Sequence, residues 1–184
     1  MAASAMDLTS RLIGKITGTA SKSGVEFNAV TFALAHSADV SLADGAVADT
    51  ANQVYQDSAT VIADAATSYD LAGVLTDEFG GTITFTIIKA ILFKNTSTTA
   101  SILGIGGGTG LDGTNAFDAW CCSAAGAGSG DGSEYVKVRP GGFFMLCAPD
   151  VTGYAVIAGT ADILIIKELS TLAASFELTL IGVV

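Results

Sequence analysis

Charge is what this sequence has least of. Only 14% of its 184 residues are Asp, Glu, Lys or Arg, against about 25% in an ordinary soluble domain. Eight are basic and eighteen acidic, a formal net charge of −10. A phosphate backbone is bound by Lys and Arg that displace its counterions, and an anionic membrane surface attracts the same groups. Here they are few and scattered: Arg11, Lys15, Lys22, Lys89, Lys94, Lys137, Arg139 and Lys167. Neither nucleic acid nor membrane is an expected partner.

Other shortages narrow the chemistry. The three cysteines, Cys121, Cys122 and Cys147, make no even set and no CxxC pair, which argues against a disulfide framework and against zinc. Small buried or half-buried thiols are the expected role. One histidine, His36, and no GxSxG leave Ser-His-Asp and Cys-His hydrolysis without their parts. His36 reads as the end of a strand, before Ser37 and Asp39, with a hydrogen-bonded surface role. One Trp and four Tyr are few for a sugar-gripping cleft, and among so many acids some carboxylate pairs arise by chance. The most apolar window, residues 83–93, is interrupted by Lys89 and is too short to span a bilayer. No basic segment leads into an apolar one at the N-terminus, so the chain reads as made in a cytoplasm without a signal peptide. The sequon Asn95-Thr96-Ser97 means nothing without a secretory route. No fixed-period repeat points to a solenoid.

What is present is hydrophobicity, at 50%, and glycine, at 22 residues. Intrinsic disorder is excluded, since it requires low hydrophobicity. The length suits one domain with a real core, or a domain plus an arm. A surface so poor in charge suits dense assembly, because interface cores are depleted in charge.

Residues 5–15 (AMDLTSRLIGK) are expected to form a short helix or an ordered arm, with Gly14, Gly18 and Gly24 breaking any helix. Residues 1–24 are taken as an N-terminal arm and 25–184 as the folded domain. Val30, Phe32 and Leu34 alternate as in a strand, and a spacer covers 43–52. Further strands are expected at 54–63, 69–75, 83–95, 101–105, 134–139, 142–147, 154–158, 163–168 and 175–183. Most are bounded by turns such as Pro140-Gly141, Pro149-Asp150 or Ala158-Gly159-Thr160. Many short strands with no helical period between them predict an all-β fold, an antiparallel sandwich or barrel. Alternation puts Phe176, Leu178 and Leu180 on one face and Glu177 and Thr179 on the other; Lys89 and Lys94 fall on opposite faces. The run Gly142-Phe143-Phe144-Met145-Leu146 is apolar on both faces. It is either central in the sandwich or has one face against another subunit.

Glycine-rich text offers three weak sites. Residues 108–113 fit GxGxxG, but a dinucleotide site needs a βαβ unit, and 115–122 is at most one or two helical turns. Residues 107–115 (GGTGLDGTN) look like one copy of a calcium-binding nonapeptide, which works only in stacked copies. The acidic loops 112–118 and 131–134 supply Asp112, Asp118 and Asp131 as oxygen ligands for Ca²⁺, weighed against ordinary turn-forming Asp and Gly. No cofactor is expected.

From Asp70 onward the order of motifs is distinctive. Asp70-Leu71-Ala72-Gly73-Val74-Leu75-Thr76-Asp77 precedes ITFTIIKAILFKNTSTTASILGIGG; Asn115-Ala116-Phe117, VKVRPGGFFML, APDVTGYAV, AGTADILIIKE and FELTLIGV follow. This series resembles small virion structural proteins from the head-gene clusters of tailed bacteriophages. The resemblance covers over half the chain; Cys121-Cys122 and the Gly/Ser loop 124–132 depart from the pattern. It implies a jelly-roll-like β-sandwich on the capsid exterior. Such a protein is a non-enzymatic decoration or cement protein that binds the major capsid protein, often as a homotrimer. The N-terminal segment, with Leu8, Arg11, Leu12 and Lys15, is then the candidate partner-binding arm. The same sandwich suits a head fibre base or a tail component. A carbohydrate-binding module is a further alternative, and it predicts a flat aromatic strip.

Overall fold

The computed structural model describes residues 7–22, 30–73, 75–107, 111, 114–117, 120 and 135–184. Its strands in chain order are β1 (Ser10–Lys22), β2 (Val30–Asp44), β3 (Thr50–Ala51), β4 (Gln53–Val61), β5 (Ala66–Asp70), β6 (Leu75–Thr76) and β7 (Thr82–Ile83). They continue with β8 (Ile87–Asn95), β9 (Leu103–Gly106), β10 (Tyr135–Val138), β11 (Phe143–Cys147), β12 (Tyr154–Ala155), β13 (Ile163–Glu168) and β14 (Ala174–Val183). No α-helix occurs among the described residues.

Two antiparallel sheets form the body, one ordered β11-β8-β14-β4 and the other β10-β9-β13-β5. β12 continues the β11 edge by pairing with the start of β8. The inner faces of the sheets share one apolar core, so the expected antiparallel β-sandwich is what the chain builds. Alternation sets the inner faces, because successive side chains on a strand point to opposite sides. On β14, Phe176, Leu178 and Leu180 are buried while Glu177 is exposed. At the centre the rings of Phe93 and Phe176 lie 5.6 Å apart, and Tyr69 meets Phe176 edge-on at 6.5 Å across the two sheets. The Tyr69 hydroxyl donates to Asp57 on the facing sheet. Burial first, then that hydrogen bond and the Asp57 charge, push the hydroxyl pKa far above the ordinary phenol value.

β8 departs from regularity at one point. Ile181 of β14 faces Ala90, and Gly182 faces Ile88, which leaves Lys89 as the extra residue of a bulge. Gly182 is obligatory there, since a Cβ would stand 2.3 Å from the Ile87 carbonyl oxygen. Lys89 is fully buried, and its Nζ donates to the Asp150 carbonyl. Lys94 points outward, with Nζ 3.4 Å from Glu177.

Buried polar groups tie the body together. Asn95 donates through Nδ2 to the carbonyls of Ser101 and Val138, at 3.1 and 3.0 Å, and accepts from the Ser97 amide. The sequon asparagine is therefore a buried strut between the sheets. Glu168, also buried, accepts from the Ser170 amide and hydroxyl and from the Asp64 amide. Burial alone raises its carboxyl pKa; those bonds and one from the Thr171 amide outweigh burial and leave it below the ordinary value.

Several expectations are corrected. From Ser10 the N-terminal segment is a strand and not a helix, with Gly14 and Gly18 inside it. The boundary at residue 24 falls between two paired strands, for β1 and β2 form one hairpin from Ser10↔Leu42 to Lys22↔Val30. His36 lies within β2 and not at a strand end. The expected strand 69–75 begins at Ala66 and stops at Asp70, where the chain turns through Leu71-Ala72-Gly73. Of the expected strand 83–95, Ile83 ends the short β6–β7 hairpin and a separate strand, β8, begins at Ile87.

Two outcomes test this account. Asn95→Ala orphans two buried carbonyls at about 1–3 kcal/mol each. At about 2–4 °C per kcal/mol for a chain of this size, thermal melts are expected to fall by roughly 4 °C or more, and Asn95→Asp to fall at least as far. For Glu168 the folded pKa lies below its ordinary 4.5. Its stabilisation is thus complete above that value and lost as pH falls through the folded pKa. Glu168→Gln is expected to melt below the wild type at neutral pH, the gap closing in acid melts.

Candidate interaction surface

The β1–β2 ribbon is the part of the molecule that its own fold does not finish. Its strands pair over 13 positions, a length of about 40 Å at roughly 3.3 Å per residue. Register sorts its side chains by face. Leu12, Gly14, Ile16 and Gly18 share one face with Val40, Ala38, His36 and Leu34; Arg11, Ile13, Lys15, Thr17 and Thr19 share the other with Ser41, Asp39, Ser37, Ala35 and Ala33. One face is almost wholly apolar and the other mostly polar.

The root of the apolar face sits on the outer side of the β11-β8-β14-β4 sheet. Leu42 is fully buried, Leu12 and Val40 are half-buried, and a Cβ at Gly14 would lie 3.3 Å from Met145 Cε. Backbone bonds fasten the turn after β2, from the Asp49 amide to the Pro149 carbonyl (2.7 Å) and from the Asn52 amide to the Gly182 carbonyl (3.0 Å). Short β3 adds two residues parallel to the end of β2. Further out, residues 15–19 and 33–39 are all exposed, Ile16 at 69% and Leu34 at 38%. A lone two-stranded hairpin is marginally stable in water.

Beneath the ribbon the outer side of the sheet is apolar around Ala90, Leu92, Phe143, Met145 and Ile181, and polar further along, at Lys94 and Glu177. In β11, Phe144 and Leu146 pack toward the core, and Phe144 meets Trp120 at 5.3 Å. Phe143 is 69% exposed, and Leu92 of neighbouring β8 is 41% exposed. β11 pairs only with β8 and is an edge strand, which excludes the central position, one of its two expected readings. A groove of about 390 Å³ runs between Arg11–Ile13 of the ribbon and the outward Ala90, Leu92, Met145 and Ile181. Another, of about 450 Å³, opens between Ile16 and His36 of the ribbon and Phe143 and Met145 of the edge.

The four residues expected in a partner-binding arm have different roles in the structure. Leu8 is half-buried, and its amide donates to Asp44. Leu12 helps seat the root. Arg11 makes a bidentate ion pair with Asp39 across the ribbon, which holds the Asp39 carboxyl below and the guanidinium above its ordinary value. Lys15 is exposed and makes no ion pair among the described residues. The calcium candidates Asp112, Asp118 and Asp131, with Cys121 and Cys122 and most of the GxGxxG run, lie outside the described residues. Within those residues no three His, Cys, Asp or Glu side chains gather as a metal cage. Cys147 is a free, half-buried thiol whose pKa burial raises.

Sequence reasoning missed the pairing of 10–22 with 30–44. The signal was present as matched alternation on either side of residues 23–29. Glycine at every fourth position of β1 (Gly14, Gly18) hid the alternation by removing side chains from the apolar face.

Comparison with protein-family models, with curated proteins and with solved structures finds no match to this chain.

Leu42 belongs to the ribbon root and not to the sandwich core. Leu42→Ala, which costs about 2–5 kcal/mol at a buried site, is expected to loosen the root. Limited trypsin digestion should then cut faster at Arg11 and Lys15, with the main melting transition of the sandwich little changed.

Proposed function

We propose that this is a non-enzymatic virion structural protein that decorates or cements the capsid exterior of a tailed bacteriophage by binding the major capsid protein. The observation that carries the reading is the amphipathic ribbon, built into the fold at its root and exposed at residues 15–19 and 33–39. An element of that kind is completed by a neighbour in an assembly. The strand orders support a jelly-roll reading. Each sheet has four main strands, and the chain alternates between sheets through β4, β5 and β8, then β9–β10, β11, β13 and β14. That winding of two Greek keys serves viral capsid domains among others. The resemblance from Asp70 onward points the same way. In this reading the protein is made in the host cytoplasm and resides on the virion. The polar ribbon face, with exposed Ile13, Lys15 and Thr17, is the capsid contact.

The test is cosedimentation with expanded, accessory-free capsids of the phage that encodes the protein. Saturable binding is expected for the full chain. Ile13→Asp should weaken it at least tenfold, about 1.4 kcal/mol, and removal of residues 1–24 should abolish it. Undiminished binding after that removal would overturn the ribbon as the contact. No binding by the intact chain would overturn the capsid assignment in favour of a head fibre base or tail component.

A further inference from the structure

We infer that residues 149–153 are a catch on the root of the β1–β2 ribbon, and that buried Lys89 beneath them keeps this catch close to opening while the sandwich stays closed. The inference concerns the chain by itself and is independent of the capsid reading.

The catch is built from two adjacent carbonyls. That of Pro149 accepts the Asp49 amide of the ribbon root at 2.7 Å, and that of Asp150 accepts Lys89 Nζ from the core side. One planar peptide unit separates them, so the segment does not lift from Lys89 without letting go of Asp49. Its own bonds keep it in one shape. The Asp150 carboxylate accepts from the Thr152 amide and hydroxyl and from the Gly153 amide. Both ends are hinged on β8, where the Ala148 amide donates to the Lys89 carbonyl at 2.8 Å and Tyr154 pairs with Ile88. Gly153 closes the fit at a positive φ of 49°; a Cβ there would lie 2.5 Å from Ile87 Cγ2 and 3.3 Å from Lys89 Cδ.

Charge sets the balance of the catch. A lysine ammonium has three donors, and Lys89 meets one carbonyl, with no carboxylate in ion-pair distance among the described residues. One bond to a neutral carbonyl offsets only part of the cost of taking that charge out of water. Closed, the segment covers a charge that it does not neutralise; lifted, it gives the charge back to water. Methionine at position 89 reverses the sign, because closure then hides an apolar chain of similar length and opening exposes it. With the catch open, the root keeps the Asn52 bond to the Gly182 carbonyl and the Leu42 seat. Opening therefore loosens the ribbon without detaching it.

The experiment follows two groups that one opening frees. Exchange of the Asp49 amide is read by NMR, and acetylation of the Lys89 amine by acetic anhydride is read by peptide mass spectrometry. The amides of Leu71 and Glu168, bonded within the body to Asp162 and Ala65, serve as reference. In folded Lys89→Met the Asp49 amide is expected to exchange roughly tenfold more slowly or less, with the reference amides unchanged. Gly153→Ala, which pushes the segment outward, should speed Asp49 exchange and Lys89 acetylation by a like factor. Lys94→Met, at an exposed site on the same strand, should leave every rate at its wild-type value. Asp49 exchange that is unchanged or faster in folded Lys89→Met overturns the role of the charge, as does a Lys94→Met that matches it. Gly153→Ala that frees one group and not the other overturns the coupling, and decides the matter alone if Lys89→Met does not fold. Reference amides that shift together with Asp49 overturn the independence of the catch from the sandwich.

Discussion

The structure depends on one contact, the closure of two β-sheets over a shared apolar layer centred on Phe93, Phe176 and Tyr69. Aromatic pairs of this geometry add about 0.5–1.5 kcal/mol each beyond the area they bury, and here they link β5, β8 and β14 in one chain of contacts. The polar groups at the margins of that layer follow from it. Once the sheets close, the carbonyls of Ser101 and Val138 are cut off from water, and Asn95 is the side chain placed to satisfy them. Asp57 and Tyr69 bridge the facing strands β4 and β5 in the same way. Glu168 gathers the amides at the end of β13.

Closing the inner faces leaves the outer ones to be dealt with, and the chain deals with one of them incompletely. The β11-β8-β14-β4 sheet has Leu92, Phe143 and Met145 on its outside, which a monomer in water has reason to hide. Its own N-terminal hairpin covers part of this surface and then overruns the edge. The bulge at Lys89 belongs to the same design. It separates β8 into a part that pairs with β11 and a part that pairs with β12, and the loop between them carries the Pro149 carbonyl that fastens the ribbon's root. The attachment point of the ribbon is thus fixed by the irregularity of a core strand.

How much of this could be read in the sequence depended on whether alternation was visible. β14 alternates as Phe176-Glu177-Leu178-Thr179-Leu180, and its inner face was legible residue by residue. β13 and the β11 run were placed almost to the residue, because turn pairs such as Pro140-Gly141 and Ala158-Gly159 bound them. β11 was ambiguous in a different respect: Phe143-Phe144-Met145-Leu146 is apolar on both faces, so edge and centre look alike until the partners of the strand are known. The ribbon was the least legible element. Gly14 and Gly18 present no side chain on the apolar face, and the other face of β1 is Arg, Lys and Thr around Ile13, so the segment read as a short helix or an ordered arm. Asn95 was legible only as a sequon, since nothing local shows that two carbonyls distant in sequence converge on its amide.

The shortage of charge now has a location. A −10 molecule is not short of repulsion; its acidity is spread over the body, and the ribbon segment alone is neutral. That distribution makes the two parts behave differently in an assembly. Approach of two bodies is opposed by their net charge, and most strongly at low salt, where screening is weakest. A partner that covered Ile16, Leu34 and Phe143 would bury exposed apolar surface at and beside a segment of no net charge. In the proposed capsid setting the ribbon meets the lattice through its polar face. The acidic bodies remain spaced by their own repulsion.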